Sequence, residues 1–510
     1  MLARESRADF LAPHFTTRLL ARDEPPAGGL WRTPLDLPLQ TALEAEVRHT
    51  VETLRPEGGR QAALVVLDNP TGEILAWVGS PDFWADTAGQ VDMVVSPRQP
   101  GSALKPFLYG LAFDRGWSPA DVLPDLPRIF QTSTGPYAPR NYDRRFHGPV
   151  RLREALASSF NVPAVALVDR VGQGSLLSTL RRAGFESLGR SAEYYGLGLA
   201  LGNGDVTLLE LANGYRSIAS RGVWRPVRWR VSAPDELPEP GRRVMSQRAA
   251  ALVLDILADP VARIPGFGLD TPLDFPFVAA AKTGTSRHFT DNWAVATTGR
   301  FTVAVWVGNF SGRPMDGVSG VSGAGPLLHR AVLLTADRYP PGVLPTPREA
   351  GTVPVRICRL SGLLATDRCL GMIEWVQPDQ APTRVCDWHA GDGVRVPPEY
   401  AEWAGQEAAR MSATEAGAAT SSAPAGPAPA AEPFRIISPR DGDRYQVPPG
   451  VDPRYATIAL RAGGSGTGAV RWFVDGRAVP PGRWTLRPGV HVVRALAGSG
   501  TRDTARIEVE

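Results

Sequence analysis

Only two lysines occur in this chain of 510 residues, at positions 105 and 282, although lysine and arginine together number 55. Both fall in stretches whose residue types could do chemistry. In RQPGSALKPFLYGLAFDRG, Leu104, Phe107, Leu108 and Leu111 recur at helical spacing. Pro106 is tolerated only in a first turn, so a helix is predicted to begin at about Ser102 and to end at Gly116. Ser102 then stands at the positive end of the helix dipole, with Lys105 one turn on along the same face. A serine alcohol becomes a nucleophile when a base removes its proton. Lysine can be that base where its surroundings let it lose its own proton, and arginine cannot. Taken alone, S-x-x-K fits an N-capping serine and a surface lysine equally well.

Two later stretches add to this. ALASSFNVPAV places Ser159 and Asn161 where one helix ends and Pro163 constrains the start of the next. That is a cap and a turn or, beside Ser102 and Lys105, a hydroxyl that relays a proton and an amide that holds a substrate carbonyl. In VAAAKTGTSRHF an apolar strand is interrupted by Lys282, Thr283, Gly284 and Thr285. An unpaired buried charge is expensive, so Lys282 needs a reason. Gly284 would let a ligand approach the strand backbone, and a peptide could lie alongside as an added strand with Lys282 attracting its carboxylate. A lysine snorkelling from a sheet edge is the plainer reading, but it leaves the glycine and threonines unexplained.

The elements that must position these residues follow from periodicity. After Pro38, Leu39, Leu43, Val47, Val51 and Leu54 mark an amphipathic helix, and the apolar runs 63–67 and 73–78 around DNPTG mark a hairpin. Helical patterns fill 102–115, 151–158, 162–171, 207–220 and 247–258. Strand-like runs return at 278–286, 292–298 and 301–309. Strands, then helices, then strands predict an α/β sandwich whose terminal segments share one sheet. Residues 1–30 are polar with scattered Pro and Gly and are read as a linker; a main domain spans 31–345, and a Pro-rich segment of 346–411 holds all three cysteines. The Ala/Pro/Ser stretch 412–433 reads as a disordered linker. Beyond it, 434–510 shows short alternating runs broken by DG and PG turns, the pattern of a small β-sandwich.

Ser102-Ala-Leu-Lys105, Ser159-Phe-Asn161 and Lys282-Thr-Gly-Thr285, in that order, resemble the three motifs of the penicillin-binding protein and serine β-lactamase superfamily. The stretches LDLPLQ, LVVLDNPTGEILAWVGSPDF and LLELANGYRSIASRG resemble the transpeptidase domain of class A penicillin-binding proteins. The tail, where VCDWH follows CRLSG and a β module ends the chain, is similar to the 1C type. The resemblance implies an antiparallel sheet with helices on both faces and a D,D-transpeptidase of peptidoglycan stem peptides acting through a Ser102 acyl-enzyme that β-lactams trap. It further implies Lys105 as base, Ser159 as proton shuttle and Asn161 on the acyl-side amide. By the same resemblance the backbone N–H groups of Ser102 and Thr285 would form an oxyanion hole, and Lys282 with Thr283, Gly284 and Thr285 would bind the terminal carboxylate. No metal or organic cofactor is implied for catalysis. Location at the periplasmic face of the inner membrane is implied by the family alone, because MLARESRADF lacks a signal peptide's apolar stretch and no run reaches the roughly 18–20 apolar residues that span a bilayer. Class A relatives carry a membrane anchor and a glycosyltransferase domain before the transpeptidase. These residues include neither, so a split gene or a displaced start is expected, with a separate glycosyltransferase or other cell-wall proteins as partners.

Rival readings are a β-lactamase, a hydrolytic D,D-carboxypeptidase and an idle sensor of β-lactams or wall peptides. The E-x-x-N of LLELANGY offers a β-lactamase its carboxylate, but Thr207 and Glu210 fit a capping box. No G-x-S-x-G elbow of a Ser-His-Asp hydrolase lies in the Gly/Ser-rich stretch near 317–325, and His288 reads as a loop residue. A net charge of +3, with 21% charged and 43% hydrophobic residues, describes a globular chain and points away from nucleic acid. Cys358, Cys369, Cys386 and His389 could hold a structural zinc; their irregular spacing leaves a disulfide plus one spare thiol equally open.

Overall fold

A computed structural model describes residues 10–22, 31–86, 88–132, 135–231, 239–268, 271–390, 393–408, 434–439, 441–445, 457–463, 470–498 and 500–509. They form two compact units, one drawn from 1–332 and 338–409, the other from 333–337 and 410–510.

The first unit is built on five antiparallel strands: β1 (Gln61–Asp68), β2 (Ile74–Val78), β3 (Ala280–Thr285), β4 (Asp291–Thr297) and β5 (Phe301–Gly308). Their order is β2-β1-β5-β4-β3, so the chain leaves the sheet after β2, builds its helices, and returns to complete it. The β1–β2 turn is closed by Asp68, whose Oδ2 accepts from the Thr71 N–H at 3.0 Å and hydroxyl at 2.7 Å. Every residue of β4 and β5 is buried, as is all but the first of β1, which requires a layer on each face. Ala63, Val65, Leu67, Val295, Ala304 and Trp306 belong to the helical core on one face, while the alternating Ala62, Leu64 and Val66 are equally buried. Each fully buried Val or Leu contributes about 1.5–3 kcal/mol.

Helix α1 covers Pro13–Arg22, within the stretch predicted to be a linker. That expectation is corrected: Phe15 and Leu19 are core residues, and Phe15 stacks on Trp229 and meets the edge of Trp77. The remaining residues of 1–30 lie outside those described. Helix α2 (Leu37–Thr53) starts at Asp36, which accepts from Leu39 N, and is tied to β2 by Gln40, whose side chain bonds both the N–H and the C=O of Trp77. The central helices are α3 (Lys105–Asp114), α4 (Leu152–Ala157), α5 (Asn161–Val171), α6 (Leu208–Ala219) and α7 (Gln247–Leu257), with α8 (Gly325–Arg338) after the sheet. All but the last residue of α3 are buried, as expected of a helix apolar on all sides. The capping box of Thr207 and Glu210 is present at the start of α6.

The cysteine segment belongs to this first unit. Strands β6 (Val353–Cys358) and β7 (Gly371–Val376) form a hairpin, and Ile357 and Val376 pack on Ala120. Glu374 of β7 is 0% exposed and takes Arg153 of α4 at 2.7–2.9 Å, with Arg151 at 3.4 Å. The second unit has a three-stranded and a five-stranded sheet around Phe434, Ile458, Leu460, Trp472, Val493 and Ile507, the sandwich predicted for 434–510. The linker predicted at 412–433 lies outside the described residues.

Candidate active site

Ser102 lies in a 3₁₀ turn (Gly101–Leu104) that leads directly into α3, rather than in the α-helix predicted to start there. The α-helix begins at Lys105 with Pro106 in its first turn, and the Lys105 N–H bonds the Ser102 carbonyl. The turn is held against β3 by close backbone crossings. A Cβ on Gly101 would stand 2.4 Å from the Thr285 carbonyl oxygen, one on Gly202 2.2 Å from that of Gly101, and one on Gly284 2.0 Å from that of Pro100. Gly284 was expected to admit a ligand. The side where a Cβ would stand is filled by the Pro100 carbonyl and by Ala103, so the turn that carries Ser102 lies directly on β3.

Ser102, Ser159, Asn161, Thr283 and Thr285 line one cleft of about 810 Å³. The two lysines lie beneath it, Lys105 at 0% and Lys282 at 2% exposure. Lys105 Nζ donates to the carbonyls of Ser159 (2.6 Å) and Phe160 (3.0 Å) and to Asn161 Oδ1 (2.8 Å). Lys282 Nζ donates to Ser159 Oγ (2.7 Å) and to the Thr283 carbonyl (2.8 Å). Both ammonium groups therefore converge on Ser159, whose φ of 62° puts a non-glycine residue in the left-handed region. Such strain persists only where the surroundings enforce it, and it gathers at functional sites.

Burial, and then the Lys282 charge, hold the Lys105 pKa well below the usual 10.5, against the pull of Asp125. Burial, and then Arg263, bring Lys282 down to about 7. Among the described residues no carboxylate stands within salt-bridge distance of either Nζ. Desolvation disfavours the ammonium and so favours the uncharged amine, the form in which a lysine can accept a proton.

The loop carrying Ser159 is held by residues that motif reading missed. Asn141 Oδ1 accepts from the backbone of Asn161 (2.8 Å) and Val162 (3.3 Å), while its Nδ2 bonds both oxygens of buried Asp125. His147 donates to the same carboxylate and stacks on Phe160 with ring centroids 4.0 Å apart. Burial lowers the His147 pKa, but Asp125 and Asp143 outweigh it and raise it. Across the cleft, the Gly/Ser-rich loop forms a π-helical turn over Gly320–Ala324, where Gly320 N donates to Thr285 Oγ1 at 2.8 Å and Asn292 Nδ2 holds the Val318 carbonyl at 2.9 Å. Glu210 is engaged by Thr207 and Ser187 and does not line the cleft. His288 is an exposed turn residue. Strand β3 is the edge of the sheet, so its outer side is open to an added strand. The site thus offers a serine at the turn leading into a helix, a buried lysine whose ammonium is disfavoured, a second hydroxyl near two amines, and a strand edge: parts that suit acyl transfer.

Residues 62–311 match the penicillin-binding protein transpeptidase domain, and residues 423–509 match the penicillin-binding protein C-terminus family. The chain is 36% identical over 322 residues to penicillin-binding protein 1C of Escherichia coli, covering 63% of this chain and 40% of that one. It is 31% identical over 305 residues to penicillin-binding protein 1B of Vibrio cholerae, covering 57% and 38%. The chain therefore spans well under half the length of these relatives. In fold it is similar to the crystal structure of penicillin-binding protein 1A from Haemophilus influenzae, with a TM-score of 0.54 and 24% identity over 64% of this chain and 54% of that one.

Proposed function

This chain belongs to the penicillin-binding proteins, a family of peptidoglycan synthesis, and from that premise we propose that it is a D,D-transpeptidase acting through a Ser102 acyl-enzyme. The observation that carries the reading is the meeting of the chain's two lysines at Ser159, beneath the cleft that Ser102 lines. Lys105 takes the Ser102 proton as Oγ attacks the carbonyl of the penultimate D-alanine of a stem peptide. The N–H groups of Ser102 and Thr285 receive the oxyanion, a contribution of about 2.7–4 kcal/mol per donor in related acyl transfers. The proton passes through Ser159 to the departing D-alanine nitrogen, leaving an ester on Ser102. The amine of a neighbouring stem then attacks that ester, and the amide it forms is the cross-link. Asn161 holds the acyl-side amide. Thr283 and Thr285 bind the terminal carboxylate in the field of Lys282, whose ammonium also orients Ser159. β-Lactams acylate Ser102 as mimics of the D-Ala-D-Ala end. The periplasmic face of the inner membrane, where stem peptides meet the enzyme, is the working location that goes with this reading.

The test is to follow covalent labelling by a fluorescent penicillin and to map the adduct. A stable adduct on Ser102 that Ser102→Ala does not form is expected. No label, or a label kept by Ser102→Ala, removes the reading, and rapid loss of label favours a β-lactamase. D-Alanine release from a stem pentapeptide without product on an added acceptor amine favours a carboxypeptidase. The labelling rate should rise with pH, because the free base of Lys105 is the active form. Burial disfavours its ammonium, so the midpoint of the rise should fall well below 10.5. A midpoint at 10.5 would take Lys105 out of the base role.

A further inference from the structure

Away from the cleft, at the end of the β6–β7 hairpin, Cys358, Cys369, Cys386 and His389 bring their ligand atoms within 4.8 Å of one another. All three cysteines are buried and none is in a disulfide. His389 Nδ1 lies 3.6, 3.6 and 3.4 Å from the sulfurs of Cys358, Cys369 and Cys386. Zinc binds sulfur at about 2.3 Å and imidazole nitrogen at about 2.0–2.1 Å, which across a tetrahedral angle puts N and S about 3.6 Å apart. A disulfide with one spare thiol gives no reason for a nitrogen almost equidistant from three sulfurs.

The surroundings are those of thiolates. Cys358 Sγ takes the Ser361 N–H (3.5 Å) and Cys386 Sγ takes the Ser361 hydroxyl (3.2 Å). Cys369 Sγ takes the Thr366 N–H (3.4 Å) and meets its hydroxyl at 3.3 Å. Three thiolates, one neutral imidazole and a divalent ion leave a single net negative charge, and these donors offset it.

We propose that Cys358, Cys369, Cys386 and His389 form a structural Zn²⁺ site that pins the β6–β7 hairpin beneath the Ser159 loop. Soft thiolates in a closed tetrahedral set select zinc over harder divalent ions. Each cysteine releases its proton to solvent as its sulfur binds, and His389 binds through Nδ1. The ion ties the ligand loops to the hairpin: Cys358 ends β6 opposite Gly371, and Glu374, three residues along β7, reaches Arg153 of α4, the helix that leads into Ser159. A Cβ on Gly362, between the first two ligands, would stand 1.9 Å from the Ala120 carbonyl oxygen, so the ligand loop lies directly on the rest of the unit.

The experiment is elemental analysis of the whole, untagged chain purified without chelator, with Co²⁺ exchange as a second reading. About one zinc per chain is expected, and the Co²⁺ form should show the intense visible bands of a tetrahedral ion with thiolate charge transfer in the near ultraviolet. Cys386→Ser and His389→Ala should lower zinc content at least several-fold. An intact mass two hydrogens light, showing a disulfide, overturns the proposal. So does a metal-free protein whose Co²⁺ form lacks thiolate bands, or full zinc content in both variants. None of these readings depends on whether Ser102 is acylated.

Discussion

Lys105→Arg should take up β-lactam on the order of 10³-fold more slowly than the parent, within the range that a positioned general base contributes. Arginine keeps the positive charge but cannot surrender its proton, and Nζ of Lys105 stands among three carbonyl oxygens with no carboxylate in contact. The guanidinium is also larger than the fully buried space that holds the amine, so Lys105→Met serves as the companion variant. It keeps the length of the stem, removes charge and base together, and should lose labelling to the same degree while remaining folded by circular dichroism. Labelling within tenfold of the parent in a folded Lys105→Met protein would exclude Lys105 as the base. Lys282, expected from the sequence to attract a substrate carboxylate, is held more tightly than that role alone requires. Its Nζ is spent on Ser159 Oγ and the Thr283 carbonyl at 2% exposure, so its replacement should also disturb the relay hydroxyl.

The largest loss of stability should come from Glu374→Ala. Arg153 is almost fully buried and meets three carboxylates: Glu374 at 2.7 Å, Asp255 at 2.5 Å and Asp259 at 3.1 Å. Arg151, 2% exposed, shares Glu374 and Glu154. Of these acids only Glu374 is wholly buried, and removing it leaves two buried guanidinium groups with only their partly exposed partners Asp255, Asp259 and Glu154. Breaking a buried pair from one side costs about 3–5 kcal/mol. A large drop in the urea midpoint of the first unit is expected, with Glu374→Gln recovering part of it through its amide oxygen. A Glu374→Ala change of under about 1 kcal/mol would show that the two aspartates and Glu154 carry the arginines alone. Because α4 delivers Ser159, β-lactam labelling should slow in the same variant under conditions where it is still folded.

Much of this was legible in the sequence because it depends on local patterns. The helices predicted at 151–158, 162–171, 207–220 and 247–258 appear at Leu152–Ala157, Asn161–Val171, Leu208–Ala219 and Gln247–Leu257, since apolar spacing and caps at Thr207 and Ser246 are short-range signals. What escaped is non-local. Helix α1 is ten residues long and looks polar; only its packing on Trp77 and Trp229 makes it core. Asp125 ends the short strand Val122–Asp125, and Asn141 and His147 lie in the irregular stretch before Gly148–Arg151, so nothing in their own neighbourhood marks them as supports for Asn161. At Gly284 the sequence offers a reason for a glycine, namely close approach, without saying what approaches, and on the Cβ side it is the Pro100 carbonyl. The distinction between the 3₁₀ turn at Ser102 and the α-helix from Lys105 rests on backbone packing against Gly202 and Thr285, which no propensity encodes.

The burial of both lysines has a practical side. Since the chain has no other lysine, reagents that attack ε-amines find no target on the surface of the folded protein. Acylation of Lys105 or Lys282 by an activated ester thus becomes a clock for breathing of the catalytic centre, readable by mass spectrometry without an engineered probe. That clock should slow when a β-lactam occupies the cleft.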